Sequence, residues 1–350
     1  LTANEKPPRR RPEQERLALF LESRIPGRPA IAAIEKFGAG QSNPTYLIKS
    51  SKGLFVLRAK PPGRLLKSAH LVEREFRVMC ALRDTIVPVP RMHLLVEDDE
   101  SPIGRAFFVM EHVEGEVFYD PALPQASKEA RAAIYESMCG VLADLHSVDF
   151  QDIGLDDFGR PGNYFERQTI RWTKQYRASK FRDLPQMDKL IDWLGANIPP
   201  EDGQSSLVHG DFRLDNMIFD VERRAVAALI DWELSTLGHP MADLAYQCMQ
   251  WRLSKSSSLR GLGGVDRASL GIPSEKEYVS MYCARRSIDN PKSWTFFLAF
   301  AFFRFAAILE GVARRALDGN ASNPDTARAY GEMVPALTDL AIELIDGETT

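Results

Sequence analysis

Apolar and polar positions along this chain change their period around Glu111-His-Val-Glu-Gly115: short strand-like runs dominate before it and helical spacings after it. Glu13 to Arg24 reads as a helix with Leu17, Phe20 and Leu21 on one side, stopped by Pro26-Gly27. Ile31 to Phe37, Thr45 to Lys49 and Leu54 to Ala59 read as strands, the last two joined by the turn Ser50-Ser-Lys-Gly53. Ser68 to Asp84 has helical character, with Leu71, Phe76, Met79, Cys80 and Leu82 on one broad face, and Met92 to Val96 and Ala106 to Met110 return to a strand pattern. Ser127 is placed to cap a helix running to His146, on which Ile134, Met138, Val141, Leu142 and Leu145 share a face. Trp294 to Leu309 is the most apolar stretch, interrupted by Arg304, and reads as a buried helix.

The expected fold class is therefore α+β, with a small antiparallel-sheet N-terminal lobe containing one helix and a larger, mostly helical C-terminal lobe. The expected divisions are 1–26, a polar arm and helix; 27–112, a nucleotide-binding lobe; and 113–350, a helical lobe with the catalytic loop and acceptor site. The boundary suits a hinge, where backbone groups of Glu111 to Val113 could meet a purine edge.

Composition narrows the function class. Across 350 residues, 44% hydrophobic and 26% charged content with a net charge of −4 fits a globular protein and argues against nucleic acid as the main partner. Cys80, Cys139, Cys248 and Cys283 form no close pair, which points to reduced thiols in a cytoplasmic setting and away from a cysteine zinc site. The polar N-terminal stretch lacks the apolar core of a secretory signal, and the Trp294 run is too short to span a bilayer, so no membrane partner is expected.

The chemistry concentrates in Leu207-Val-His-Gly-Asp-Phe-Arg-Leu-Asp-Asn216 and Leu229-Ile-Asp-Trp-Glu233. Phosphoryl transfer needs a carboxylate at the attacking hydroxyl and oxygen ligands for Mg²⁺ on short, fixed elements. H-x-D-x-x-x-x-N followed by a later strand Asp has the layout of a kinase signature, with Gly210 where that signature carries Arg and Trp232-Glu233 in place of Phe-Gly. Upstream, Gly38-Ala-Gly-Gln-Ser-Asn43 turns between two strands, so it is no dinucleotide fingerprint. Gly38 and Gly40 allow close approach to phosphates and Ser42 offers a hydroxyl. Arg58 falls where the kinase strand places its cation, with Lys60 as the reserve, and Glu75 is preferred over Glu73 as its partner. Asp243, near a helix start, fits a structural role as well as a catalytic one, and His146 a structural one.

In this order the motifs resemble the protein-kinase-like phosphotransferases of the aminoglycoside phosphotransferase and choline kinase group. Phe55-Val-Leu-Arg-Ala-Lys-Pro-Pro-Gly63, Glu73-Arg-Glu-Phe-Arg77 and Phe302-Phe-Arg-Phe-Ala-Ala-Ile-Leu-Glu-Gly311 extend the likeness to kinase-like domains fused to acyl-CoA dehydrogenases. The resemblance implies a two-lobe fold using ATP and Mg²⁺. Asp211 would orient or deprotonate the acceptor hydroxyl, His209 support the loop, and Asn216 and Asp231 hold the metal. Arg58 would contact phosphate beside Glu75, under a loop of Gly38, Gly40, Ser42 and Asn43, with Glu111 and Val113 at the nucleotide base.

A small-molecule acceptor follows. Cations outnumber carboxylates between Arg160 and Arg182, and Arg167, Arg171, Lys174 and Arg177 are the acceptor-side candidates for steering an anionic substrate, a hydroxyacyl-CoA or hydroxy acid. A nucleotide-binding pseudokinase, suggested by Arg at position 58, and a metal-dependent phosphohydrolase are the alternatives. Intact Asp211, Asn216 and Asp231 weigh against the first. The lack of ligand spacing among the other histidines weighs against the second.

Overall fold

The alternating segments of the first hundred residues form a five-stranded antiparallel sheet. Its strands are β1 (Ile31–Lys36), β2 (Thr45–Ser50), β3 (Gly53–Ala59), β4 (Met92–Val96) and β5 (Phe107–Glu111), in the order β1-β2-β3-β5-β4. This is a computed structural model, and it describes residues 12–38, 43–61, 71–255, 260–319 and 323–347. Contacts divide the chain into two compact units, Leu1–Arg83 with Val89–Val113, and Asp84–Pro88 with Glu114–Thr350.

In the first unit, the β2–β3 turn is made where Gly53 takes φ +106°, a conformation that strains any residue with a Cβ. The register then sets Arg58 opposite Thr45 on one side and Phe108 on the other. Helix α1 (Pro12–Arg24) buries Leu17, Ala18 and Leu21 against Ile48, Leu57, Phe107 and Val109, so the helical part of the 1–26 segment belongs to this unit's core. Helix α2 (Val72–Leu82) buries Met79 and Leu82 of the expected face, while residues 68–70 of the expected helix lie outside the described residues. Val72, Glu75, Val78, Met79 and Leu82 point inward, while Cys80, expected on the apolar face, is exposed. A fully buried glutamate in an apolar stripe needs a partner.

Among the described residues, the second unit is mainly helical, with two small two-stranded sheets. It contains α3 (Lys128–Ser147), α4 (Tyr164–Ser179), α5 (Pro185–Ala196), α6 (Met241–Cys248), α7 (Arg267–Leu270), α8 (Glu275–Arg286), α9 (Trp294–Leu317) and α10 (Pro324–Asp346). The Ser127 hydroxyl caps α3 by accepting from the Ala130 N–H at 3.2 Å. Strands β6 (Ser206–Val208), β7 (Met217–Asp220), β8 (Ala225–Leu229) and β9 (Thr236–Gly238) pair as β6 with β9 and β7 with β8. Helix α9 is the centre of this unit, with α4, α6 and α10 packed on it. It is long and apolar enough to cross a membrane, but 83% of its most apolar window is buried inside the protein, as in a core helix. The four cysteines are all free.

Candidate active site

The loop after β6 is built around a buried carboxylate. Asp243, fully buried on the first turn of α6, accepts the His209 N–H at 2.6 Å and the Gly210 N–H at 2.8 Å. His146 Nε2 lies 3.3 Å from the same carboxylate, and its Nδ1 is 2.7 Å from the Tyr282 hydroxyl. His146 is thus a buried, satisfied histidine, and Asp243 fixes the backbone that presents Asp211. Gly210 takes φ +82°, and a Cβ there would meet the Leu234 carbonyl oxygen at 2.5 Å. That contact explains why the arginine of the kinase signature is missing: no side chain fits.

His209 is fully buried, with Nε2 3.0 Å from the Ile230 carbonyl and Nδ1 accepting the Asp211 N–H at 3.2 Å. These partners require the tautomer protonated on Nε2. The ring also packs on Trp232, centroids 4.7 Å apart. Trp232 itself is fully buried and donates its indole N–H to the Leu229 carbonyl at 3.1 Å, which anchors the segment where a kinase would carry Phe-Gly.

Asn216 donates its amide to the Asp211 carbonyl at 2.9 Å and to the Asp211 carboxylate at 2.8 Å. With the amide nitrogen so engaged, Asn216 turns its oxygen to whatever else binds. The Ile230 N–H donates to the Asn216 carbonyl at 2.9 Å, tying the two motif segments together. The next residue, Asp231, adopts the left-handed conformation at φ 66°, ψ 61°, which aspartate tolerates better than most residues and which clusters at functional sites. An amide oxygen and a carboxylate are the hard oxygen donors that Mg²⁺ takes.

Asp211 keeps 24% of its side-chain surface exposed. Burial alone would raise its carboxyl. The Arg213 guanidinium, the Tyr246 hydroxyl, His209 and the Asn216 amide more than offset this and hold it below the ordinary value of 3.8. A depressed carboxyl is a competent base wherever it is ionised. The acid limb of kcat at saturating substrates is therefore expected below the ordinary carboxylate range, and Arg213→Met should move it upward. A limb fixed in position by that change, in a kcat-pH profile, counts against Asp211 as the titrating group.

In the first unit the buried glutamate of α2 finds its partner. Arg58 Nε lies 3.1 Å from Glu75, and the Asn43 amide donates to Glu75 at 2.8 Å. Lys60 goes elsewhere, to Glu73 at 2.5 Å and Asp98 at 3.0 Å. Of the two candidate cations, Arg58 has the expected glutamate. Asn43 is turned to Glu75, and Gly38 is exposed with open space around it. Gly40 and Ser42 lie outside the described residues. The Glu111 N–H already donates to the Arg91 carbonyl at 2.9 Å, so it is committed within the unit, and Val113 follows it as the unit's last residue.

The cations of α4 divide by face. Arg171, Lys174 and Arg177 are exposed and Arg167 is half-buried, whereas Thr169, Trp172 and Tyr176 form the buried stripe. Of two further residues of the second unit, Tyr246 is not singled out by the motifs, while Arg304 stands within the Phe302 to Gly311 stretch. Tyr246, one turn after Asp243, lies beside the Asp211 carboxylate, and Arg304 is buried in α9. The signal for Arg304 was present, as the one charge within the apolar run from Trp294 to Leu309.

Residues 33–273 match the model of a family described as the phosphotransferase enzyme family. Mouse acyl-CoA dehydrogenase family member 10 is 48% identical over 307 residues, which is 87% of this chain but 28% of that protein. The rat family member 11 is 42% identical over 94% of this chain and 42% of its own length, so the chain spans less than half of these relatives. A solved structure from Ralstonia eutropha JMP134, nominally an aminoglycoside phosphotransferase, is 44% identical and superposes with a TM-score of 0.85. The match covers 95% of this chain and 98% of that one. A thermostable mutant of the aminoglycoside phosphotransferase APH(4)-Ia, solved with ADP and hygromycin B, shares the fold at a TM-score of 0.60 with 13% identity, over 93% and 98% of the two chains.

Proposed function

The chain belongs to the phosphotransferase enzyme family, and on that premise we propose that it moves the γ-phosphoryl group of ATP to a hydroxyl of a small, anionic acceptor. The observation that carries this is the Asp211 constellation: a carboxylate held ionised and partly open, aimed by a loop that Asp243 clamps. The acceptor R–OH gives its proton to Asp211 as its oxygen bonds to the γ-phosphorus, and ADP leaves with the electrons of the broken P–O bond. His209 holds the loop through Ile230 and Asp211. Asn216 and Asp231 would hold Mg²⁺, which when bound neutralises charge on the nucleotide phosphates.

Arg58 contacts phosphate and Glu75 orients its guanidinium. A fork can grip two phosphate oxygens where lysine offers a point charge. Gly38 and Asn43 flank the loop that would cover the phosphates, whose Gly40 and Ser42 lie outside the described residues, and the backbone at Glu111 and Val113 would border the base. Nucleotide use is supported by the ADP complex of the APH(4)-Ia neighbour. The relatives named for acyl-CoA dehydrogenases support a hydroxyacyl-CoA or hydroxy acid as acceptor, with Arg167, Arg171, Lys174 and Arg177 steering it. Four free cysteines suit a reducing, cytoplasmic compartment.

The test is Mg²⁺-dependent ADP release over a panel of hydroxyacyl-CoAs, hydroxy acids, amino alcohols, sugars and aminoglycosides. Acceptor-dependent release confined to the anionic members is expected. Release stimulated best by aminoglycosides would overturn the acceptor class, and nucleotide binding without transfer to any acceptor would leave a pseudokinase.

A further inference from the structure

Helix α2 begins without a side-chain cap. Among the described residues, two cations from one edge of the sheet hold its first turn. Arg58 lies on β3 and Lys60 directly follows that strand, so the alternation of side chains puts both on one face. Arg58 Nε sits 3.1 Å from each carboxylate oxygen of Glu75. Lys60, with 13% of its side chain exposed, places Nζ 2.5 Å from Glu73 and 3.0 Å from Asp98. Asp98 in turn accepts the Ala106 N–H at 2.6 Å, and the Lys60 N–H donates to the Ala106 carbonyl at 2.9 Å. One ammonium therefore ties the end of β3, the start of α2 and the segment between β4 and β5 at a single point.

Glu73 and Glu75 are two residues apart, hence about 200° round the axis of α2. A helix gripped on one side can turn about its axis, and a helix gripped on two sides cannot. The rotation matters because the Arg58 guanidinium is a rigid fork, whose aim follows the position of Glu75. Glu75 also accepts from the Asn43 amide at 2.8 Å, so what Lys60 supplies to this group is place rather than charge. Lys60 separates two like charges as well. Glu73 and Asp98 touch the same nitrogen, and without the ammonium they would repel each other across the position it held. That repulsion would drive the first turn of α2 away from the β4–β5 segment and carry Glu75 with it.

We propose that Lys60 is a positioning residue of the nucleotide site: by pinning Glu73 and Asp98 it fixes the rotation of α2, and so the aim of Arg58, without touching the nucleotide. This rests on the phosphotransferase reading, in which Arg58 contacts phosphate, and adds a second task on the same strand. The two cations divide the work. Arg58 faces the ligand through a glutamate that orients it, and Lys60 holds the helix that carries that glutamate.

Calorimetric titration of the full chain with Mg·ATP, without acceptor, tests this. Lys60→Met should weaken binding on the order of 10-fold, and Lys60→Arg should keep most of the affinity. Adding Glu73→Gln to Lys60→Met removes the repulsion and should recover part of the loss, which a direct phosphate contact by Lys60 would not allow. In a Glu75→Gln background the aim of Arg58 is already lost, and Lys60→Met should then weaken binding by about 2-fold or less. Where Lys60→Met does not fold, Glu73→Gln alone takes its place and should weaken binding by a smaller factor, again only with Glu75 intact. A loss of the same size in both backgrounds means that Lys60 meets the nucleotide itself and overturns the proposal, as does unchanged affinity. A parent protein that binds no Mg·ATP would remove the nucleotide reading, and hydrogen exchange of the α2 amides then decides the rest. Faster exchange in Lys60→Met keeps the hold on α2, and unchanged exchange removes it.

Discussion

Asp211→Asn is expected to lower kcat on the order of 10³-fold, about 4 kcal/mol of transition-state stabilisation, while Mg·ATP binding stays nearly unchanged. Asparagine matches the shape of the carboxylate but cannot take the hydroxyl proton. It also removes the negative charge that Arg213, 3.9 Å away, helps to hold in place. The Asn216 amide, which donates to that carboxylate at 2.8 Å, would face another amide. Single-turnover transfer and nucleotide titration of the same preparation separate the two effects. A variant that turns over normally means that Asp211 is not the base, and a variant that loses nucleotide binding means that its role is in the ground state.

Asp243→Ala should produce the largest loss of stability of any single change in the second unit. Two backbone N–H groups and His146 Nε2 converge on that fully buried carboxylate. Removing it strands all three, a cost of about 3–5 kcal/mol. The expected result is a Tm lower by on the order of 10 °C, with activity falling in parallel because the Gly210 backbone no longer aims Asp211. The linkage has a definite sign. Burial raises the Asp243 carboxyl, but His146, His209 and the Gly210 N–H bring it below its ordinary value of 3.8. Its contribution is present above that value and lost as pH falls through the depressed one. A thermal scan of the variant within about 2 °C of the parent would mean that the loop is held by other contacts.

Much of this site could be read from the residues before any coordinates. The spacing of Asp211 to Asn216 and the later Asp231 carried the loop because phosphoryl transfer leaves little freedom in the order of its parts. Glu75 is preferred over Glu73 as the partner of Arg58, and the physical reason is burial: Glu75 faces inward on α2 beside Arg58, while half-buried Glu73 pairs with Lys60. What could not be read depends on contacts distant in sequence. The need for glycine at 210 lies in the Leu234 carbonyl, and α2 departs from the expected face at Cys80, which is exposed. Arg304 was visible as a charge inside an apolar run, but its two aromatic neighbours appear only once α4, α6 and α9 are packed. The exposed basic stripe of α4 drew attention first because composition reports charge and not burial.

The central claim is transfer, and phosphorus NMR of one reaction mixture decides it by following ADP, phosphoester and inorganic phosphate together. With ATP, Mg²⁺ and a hydroxyacyl-CoA acceptor, ADP and a new phosphoester should appear in equal amounts, with inorganic phosphate at background and both signals lost in Asp211→Asn. ADP matched by inorganic phosphate instead, at a rate indifferent to the acceptor, would contradict the account and make the protein a phosphohydrolase.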